Sequence, residues 1–302
     1  MKAVHAHEGA GIEGLVFEEA DDPVVGVGDV LVKVHATGFT PGELNWPPTW
    51  RDRSGHDRAP SIPGRELSGE VAALGYGTTG FAVGDEVIGL TDPHRDGGAA
   101  EYAAIEARDL APKPETLDHT QAAALPMSGL TAWQALFDHG RVTAGQTVLI
   151  HGAGGGVGTM AVQLAHDAGA RVIGTGRAGV RELVTELGAD TFVDVEQDRF
   201  EDLGQVDMVF DTVGGELLER SAAVVKPGGA LVTITVPPPV EPEGARAVYF
   251  IVERGRDQLV GLGKLVDAGR IRPHVGGVYP LSEARAAFAA KSGVAGKLVL
   301  QP

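Results

Sequence analysis

Between Asp29 and Ile105 the chain alternates short apolar runs with Gly, Pro and Asp: Asp29 to His35, Glu70 to Leu74, Asp85 to Gly89 and Glu101 to Ile105. Runs of this length and spacing predict the short strands of an antiparallel, barrel-like domain. Around Leu117 the pattern changes. Asp118 followed by Gln121 reads as a capping box opening an Ala-rich helix, Pro126 interrupts it, and a second helix runs through Trp133 and Leu136 to Gly140. From Gln146 onward strand and helix alternate, the pattern of a parallel, doubly wound α/β sheet. The predicted strands are Thr147 to His151, Arg171 to Thr175, Thr191 to Val193, Val206 to Phe210, Ala230 to Thr235 and Val248 to Val252. Between them Val180, Leu183, Val184 and Leu187 share one helical face, as do Leu217, Ser221, Val224 and Val225. A helix near Asp257 to Ala268 completes this block, and after Arg272 the chain reads strand, helix, strand, with Lys297 to Leu300 last.

This pattern divides the 302 residues into a Rossmann-type domain, 118–271, and a second domain built from 1–117 and 272–302. Lys and Arg number 25 against 41 Asp and Glu, a formal net charge of −16 that disfavours nucleic acid and anionic lipid as partners. A local basic pocket for a single phosphate is still allowed. With no cysteine, disulfides, thiolate nucleophiles and cysteine-ligated zinc are excluded, and the cytoplasm is the expected location. No apolar run follows Lys2, so no signal peptide is expected, and no stretch reaches the length of a membrane span.

The candidate chemistry begins at Val148 to Gly158, where an apolar strand meets a helix through Gly152-Ala153-Gly154-Gly155-Gly156-Val157-Gly158. A diphosphate requires this arrangement, because a turn without Cβ atoms lets backbone N–H groups approach it at the positive end of a helix. The fit to the dinucleotide fingerprint is imperfect: Ala153 holds the first glycine position of one register, and Gly152, Gly155 and Gly158 form another. At the end of the next strand, Gly174-Thr175-Gly176-Arg177 supplies no carboxylate for a ribose 2′-hydroxyl. Arg177 instead offers a planar donor fork for a 2′-phosphate, with Arg181 one turn further on, so NADPH is the expected cofactor.

Taken in order, Pro63 to Val71, Gly84 to Val87, Ala122 to Pro126, Gly129 to Trp133, the glycine loop, Leu187 to Asp190, Asp207 to Gly215, Lys226 to Gly229 and Gly296 to Leu300 resemble the medium-chain dehydrogenase/reductase superfamily. The closest likeness is to its zinc-independent, zeta-crystallin-like quinone oxidoreductase branch. The resemblance implies a GroES-like β-barrel catalytic domain, a Rossmann NADP-binding domain, and a substrate cleft at their junction. It also implies a homodimer paired along the last Rossmann strand, and hydride transfer to a quinone or conjugated carbonyl. It places Asn45 near the nicotinamide as the candidate catalytic residue. Thr131, Asp211, Thr212, Val213, Thr235 and Val236 are placed along the cofactor, with Lys297 approaching it, and Thr175, beside Arg177 at its strand end, is a further cofactor candidate. Arg65 stands where zinc-dependent relatives carry histidine, and with no cysteine present no metal site is expected.

By the same resemblance Arg65 and Glu66 are placed beside the cleft, with a structural ion pair as their expected role. Trp46 and Trp50 flank a Pro-rich loop and either wall a flat substrate or anchor the loop. No residue matches the tyrosine often found near the substrate in that branch, which leaves the proton donor open. Two alternatives to a reductase therefore stand: a biosynthetic tailoring enzyme with little or no net redox change, and a non-enzymatic NADPH-binding sensor or structural protein.

Overall fold

The computed structural model describes residues 1–8, 10–290 and 293–302. In chain order its elements are β1 (Lys2–Ala6), β2 (Leu15–Glu19), β3 (Asp29–Gly38), a short α1 (Pro47–Trp50), β4 (Glu66–Leu74), β5 (Glu86–Leu90), β6 (Tyr102–Glu106) and β7 (Leu110–Pro112). There follow α2 (His119–Ala123), α3 (Pro126–Trp133), β8 (Thr147–His151), α4 (Gly156–Asp167), β9 (Arg171–Gly176), α5 (Arg181–Glu186), β10 (Thr191–Asp194) and β11 (Val206–Asp211). The remainder is α6 (Gly215–Ser221), β12 (Val225–Thr233), β13 (Arg246–Tyr249), α7 (Arg256–Asp267), β14 (Val275–Pro280), α8 (Ala284–Ala290) and β15 (Lys297–Gln301).

The chain forms two compact units. The first comprises Met1–Met127, Arg254–Asp267 and His274–Pro302, and the second Ser128–Glu253 and Ala268–Pro273. This division differs from the one read from the sequence at two helices. The capping box at α2 forms as expected, with the Gln121 amide donating to Asp118 at 2.7 Å, but α2 packs on β3 and β4 and so belongs to the first unit. Helix α7 also joins that unit: Asp267 accepts from the Thr116 amide and hydroxyl at 3.0 and 2.9 Å, and Arg256 lies 4.7 Å over the Phe81 ring.

In the first unit the main sheet has the order β14-β15-β3-β4-β5-β7, with β6 also on β3 and a separate β1-β2 pair. All pairings are antiparallel except β14 with β15. Alternate side chains of β3, β4, β5 and β6, among them Val30, Val32, Val34, Leu67, Val71 and Val87, fill one core. A second core gathers Phe39, Leu44, Ile62, Phe288 and Leu300, with Phe39 and Phe288 stacked at 4.0 Å.

The second unit is a six-stranded parallel sheet of order β10-β9-β8-β11-β12-β13. The order reverses at β8, so β8 and β11 flank the switch point where open α/β sheets bind ligands. Three expected boundaries move. Val225, assigned to a helical face, opens β12, because Pro227 and Gly228 cannot continue the helix after α6. Strand β12 ends at Thr233, which leaves Thr235 and Val236 in the loop beyond it. Strand β13 is Arg246–Tyr249 rather than Val248 to Val252, its register on β12 running from Ala230↔Arg246 to Thr233↔Tyr249.

Candidate functional site

The nucleotide half of the site is built in the second unit. Gly152 leaves β8 at φ +73°, where a Cβ would strike the Thr212 hydroxyl and lie 2.9 Å from Val213. The turn closes with the Gly155 amide donating to the Gly152 carbonyl at 2.9 Å, and Ala153 donates to the Thr175 carbonyl at 2.9 Å. Gly158 lies so close beneath the turn that a Cβ there would run into the Gly152 carbonyl oxygen and stand 2.7 Å from Ala153 Cα. Gly154 is buried against Val180, which a Cβ would approach to 2.7 Å. Gly155 differs from both: a Cβ there would meet nothing nearer than the Gly152 carbonyl at 3.4 Å.

Gly152, Gly154 and Gly158 thus let the chain fold closely on itself, whereas Gly155 leaves space open at the head of α4. Gly156, Val157 and Gly158 begin α4, and the first amides of a helix have no intrahelical acceptor. An open face before three such amides at a positive helix end fits a diphosphate. These residues would hold that part of a dinucleotide.

The turn is braced from below. His151 is fully buried, with Nδ1 2.9 Å from the Thr175 hydroxyl, Nε2 3.0 Å from the Ser221 hydroxyl, and its ring edge-on to Phe200. Burial pushes its pKa down to about 4, so the ring is neutral at physiological pH. The Thr212 hydroxyl donates to the His151 carbonyl at 2.7 Å. Asp211, also buried, accepts from the amides of Val213 and Gly214 at 3.2 and 2.9 Å and from the hydroxyls of Thr233 and Thr235 at 2.8 and 3.1 Å. Asp211, Thr175 and Thr235 are thus engaged with their own framework. Val213 and Val236, 52% and 50% exposed, are the outward side chains of these strand-end loops. Thr131 is buried near the middle of α3.

Arg177, at the end of β9, is not alone there. Strand β10 runs parallel beside β9 with Asp194 opposite Gly176, and Glu196 just beyond it places Oε1 3.2 Å from Arg177 Nε. The expectation that no carboxylate stands at this position holds for β9 itself and fails for the neighbouring strand end. Arg181 turns onto the Phe192 ring at 4.7 Å and donates to the Phe192 carbonyl at 3.4 Å.

The other candidate residues lie in the first unit. Asn45 ends the turn Pro41–Asn45 and is exposed. Two residues earlier, Glu43 is fully buried and accepts from the amides of Gly64 and Thr40 at 2.7 and 3.1 Å, while desolvation pushes its pKa upward. Thr40 and Glu43 form a capping box, a local S/T-x-x-E signal visible in the sequence itself. Trp50 is half-buried, donates from Nε1 to the Leu44 carbonyl at 2.9 Å and packs on the Phe39–Phe288 core, so it anchors the loop. Trp46 is half-buried as well.

Arg65 does not line an open surface: it is 2% exposed, and its guanidinium donates to the carbonyls of Arg95 at 2.8 Å and Asp92 at 3.4 Å and to the Thr49 hydroxyl at 3.3 Å. Glu66, the residue expected to pair with it, is ion-paired with buried Lys297 and accepts from the Met127 amide at 2.8 Å. Lys297 is therefore neither an exposed cation nor an open ligand for a phosphate. Gly38 explains the route: it lies between Glu66 and Val299 in register, and a Cβ there would stand 2.8 Å from the Glu66 Cγ. A hollow of about 350 Å³ between β2 and the segment Leu281 to Arg285 contains none of these residues. Among the described residues no group of three or more His, Asp or Glu is placed to hold a metal ion.

Comparison with known proteins agrees with this architecture. Residues 26–115 match the family model described as alcohol dehydrogenase GroES-like domain, and residues 187–300 the one described as zinc-binding dehydrogenase. The chain is 35% identical to 2-methylene-furan-3-one reductase of Solanum lycopersicum over 84% of its length, spanning 65% of that protein. It is 33% identical to the chloroplastic NADPH-dependent alkenal/one oxidoreductase of Arabidopsis thaliana, covering 93% of this chain and 74% of that one. With mouse quinone oxidoreductase it shares 30% identity over 99% of this chain and 97% of the relative. Among solved structures, the quinone oxidoreductase of Coxiella burnetii superposes with a TM-score of 0.91 at 30% identity, covering 100% of this chain and 99% of that one. A mycobacterial protein solved with NADPH superposes at 0.85 and 28% identity, each chain covered in full.

Proposed function

The chain belongs to the medium-chain dehydrogenase/reductase superfamily, in its quinone oxidoreductase branch, and we propose that it is an NADPH-dependent reductase delivering hydride to a quinone or an activated alkene without a metal. The observation that carries this reading is the open face at Gly155 before the amides of Gly156, Val157 and Gly158. The relatives named for quinone and for alkenal or enone substrates support the substrate class. A bound nicotinamide supplies the hydride, and the protein's part is to hold and orient it.

Gly155, Gly156, Val157 and Gly158 bind the diphosphate, Arg177 takes the 2′-phosphate, and Asp211 and His151 hold the strand ends in shape beneath them. Asn45, exposed at the end of its turn, donates a hydrogen bond to the substrate or nicotinamide. A sequence without cysteine, with Arg65 sealed among carbonyls at the position where zinc-dependent relatives place histidine, supports chemistry without a Lewis acid. Conjugated acceptors suit that chemistry because they delocalise the charge that hydride delivers.

The test is to mix the protein with NADPH and a panel of quinones and conjugated enones and follow cofactor absorbance. Turnover of at least one class is expected. Tight NADPH binding with no turnover would replace this reading by a tailoring enzyme or a non-enzymatic NADPH-binding protein. The same proposal includes a homodimer paired along β13, where Tyr249 is exposed with Ile251 exposed just beyond it, and a cytoplasmic location. A monomeric mass by light scattering would overturn the dimer. No helix among the described residues is long and apolar enough to cross a membrane.

A further inference from the structure

Arg177 and Glu196 are brought together by the pairing of β9 with β10, and backbone hydrogen bonds hold the segment that carries Glu196. The Val195 amide donates to the Gly176 carbonyl at 3.0 Å, and the Asp194 carboxylate accepts the Glu196 amide at 3.1 Å, so Glu196 leaves the strand end in a set direction. Both side chains are well exposed, 73% for Arg177 and 63% for Glu196, and an exposed ion pair of this kind is weak and easily exchanged for another partner. Both stand at the C-terminal ends of parallel strands, as the glycine turn does.

We propose that Glu196 sets cofactor choice at this site: its carboxylate accepts the ribose 2′-hydroxyl of a dinucleotide without a 2′-phosphate and competes with a 2′-phosphate for Arg177. The proposal rests on the reading that the glycine turn holds a nicotinamide dinucleotide. A phosphate monoester carries close to two negative charges, so a carboxylate bound to its guanidinium partner opposes it twice, by occupying the donor and by repulsion. With NADPH bound, Arg177 exchanges Glu196 for the phosphate. With NADH bound, the ion pair persists and Glu196 reads the hydroxyl. The site therefore admits both cofactors, and the sum of these two terms makes its preference for NADPH modest.

The experiment is calorimetric titration of the full chain and of Glu196→Gln, Arg177→Ala and the double variant with NADPH and with NADH. Glu196→Gln is expected to lower the Kd for NADPH about threefold and raise that for NADH about twofold, the range open to exposed charged contacts. In the Arg177→Ala background the gain in NADPH affinity from Glu196→Gln shrinks, because competition for the guanidinium has gone. If the unaltered chain binds NADPH and Glu196→Gln leaves the NADPH-to-NADH ratio where it was, the role of Glu196 is overturned and the dinucleotide site stands. If the unaltered chain binds neither cofactor, the dinucleotide reading itself fails.

Discussion

Gly155→Ala separates a glycine kept for a ligand from one kept for the fold. The backbone at Gly155 has φ −79° and ψ 173°, which alanine adopts without strain, and the new Cβ meets only one atom, at 3.4 Å. The cost to the protein is the N-cap preference of glycine over alanine, at most about 1 kcal/mol, or a fall in Tm of about 2–4 °C. With the diphosphate bound as proposed, the same methyl group enters the space the anion takes before the Gly156 and Val157 amides. Loss of one or two hydrogen bonds to a charged diphosphate, at about 1.5–3 kcal/mol each, weakens NADPH binding roughly tenfold to a thousandfold or more. Gly158→Ala is the contrast: its Cβ collides with the Gly152 carbonyl and crowds Ala153, an overpacking that costs about 1–3 kcal/mol and lowers Tm by roughly 3–10 °C. Thermal melts and calorimetric titration of both variants give the four numbers. Gly155→Ala that binds NADPH like the unaltered chain would refute the assignment of that face to the diphosphate.

Three other outcomes follow from the same geometry. Arg177→Ala should raise KM for NADPH about tenfold and that for NADH little, and equal effects in steady-state kinetics would remove the 2′-phosphate from Arg177. Lys297→Met strands the buried Glu66 carboxylate and should cost about 3–5 kcal/mol in urea denaturation, with most of it recovered when Glu66→Gln is added; a loss under about 1 kcal/mol would contradict the buried ion pair. His151 has a folded pKa of about 4 against an ordinary value of 6.5, so between those values the unfolded chain binds a proton that the folded chain excludes. Stability should therefore fall as pH drops through that window, by up to about 3 kcal/mol, and His151→Gln should flatten the dependence of Tm on pH there.

What the sequence made legible was local. The α2 capping box is complete within four residues, and β8 is bounded by the polar Gln146 before it and the glycine turn after it, so both were placed correctly from pattern alone. The residues that escaped depend on distant strands. Glu196 follows β10 and meets Arg177 only because those strands pair, a contact that no spacing along the chain announces. Arg65 and Glu66, expected by analogy to form a structural ion pair, each find other partners. Glu66 crosses Gly38 to Lys297 from the far end of the sequence, and Arg65 turns instead to the 92–95 loop. Likewise Asp211 ends β11 and Thr235 lies two residues past β12, and their polar atoms are turned toward each other.

The most direct measurement is a crystal structure of the protein with NADP⁺. The account predicts diphosphate oxygens about 3 Å from the amides of Gly156 and Val157, with the 2′-phosphate on Arg177 and Glu196 displaced from it. A dinucleotide bound with its diphosphate away from the head of α4 would contradict it.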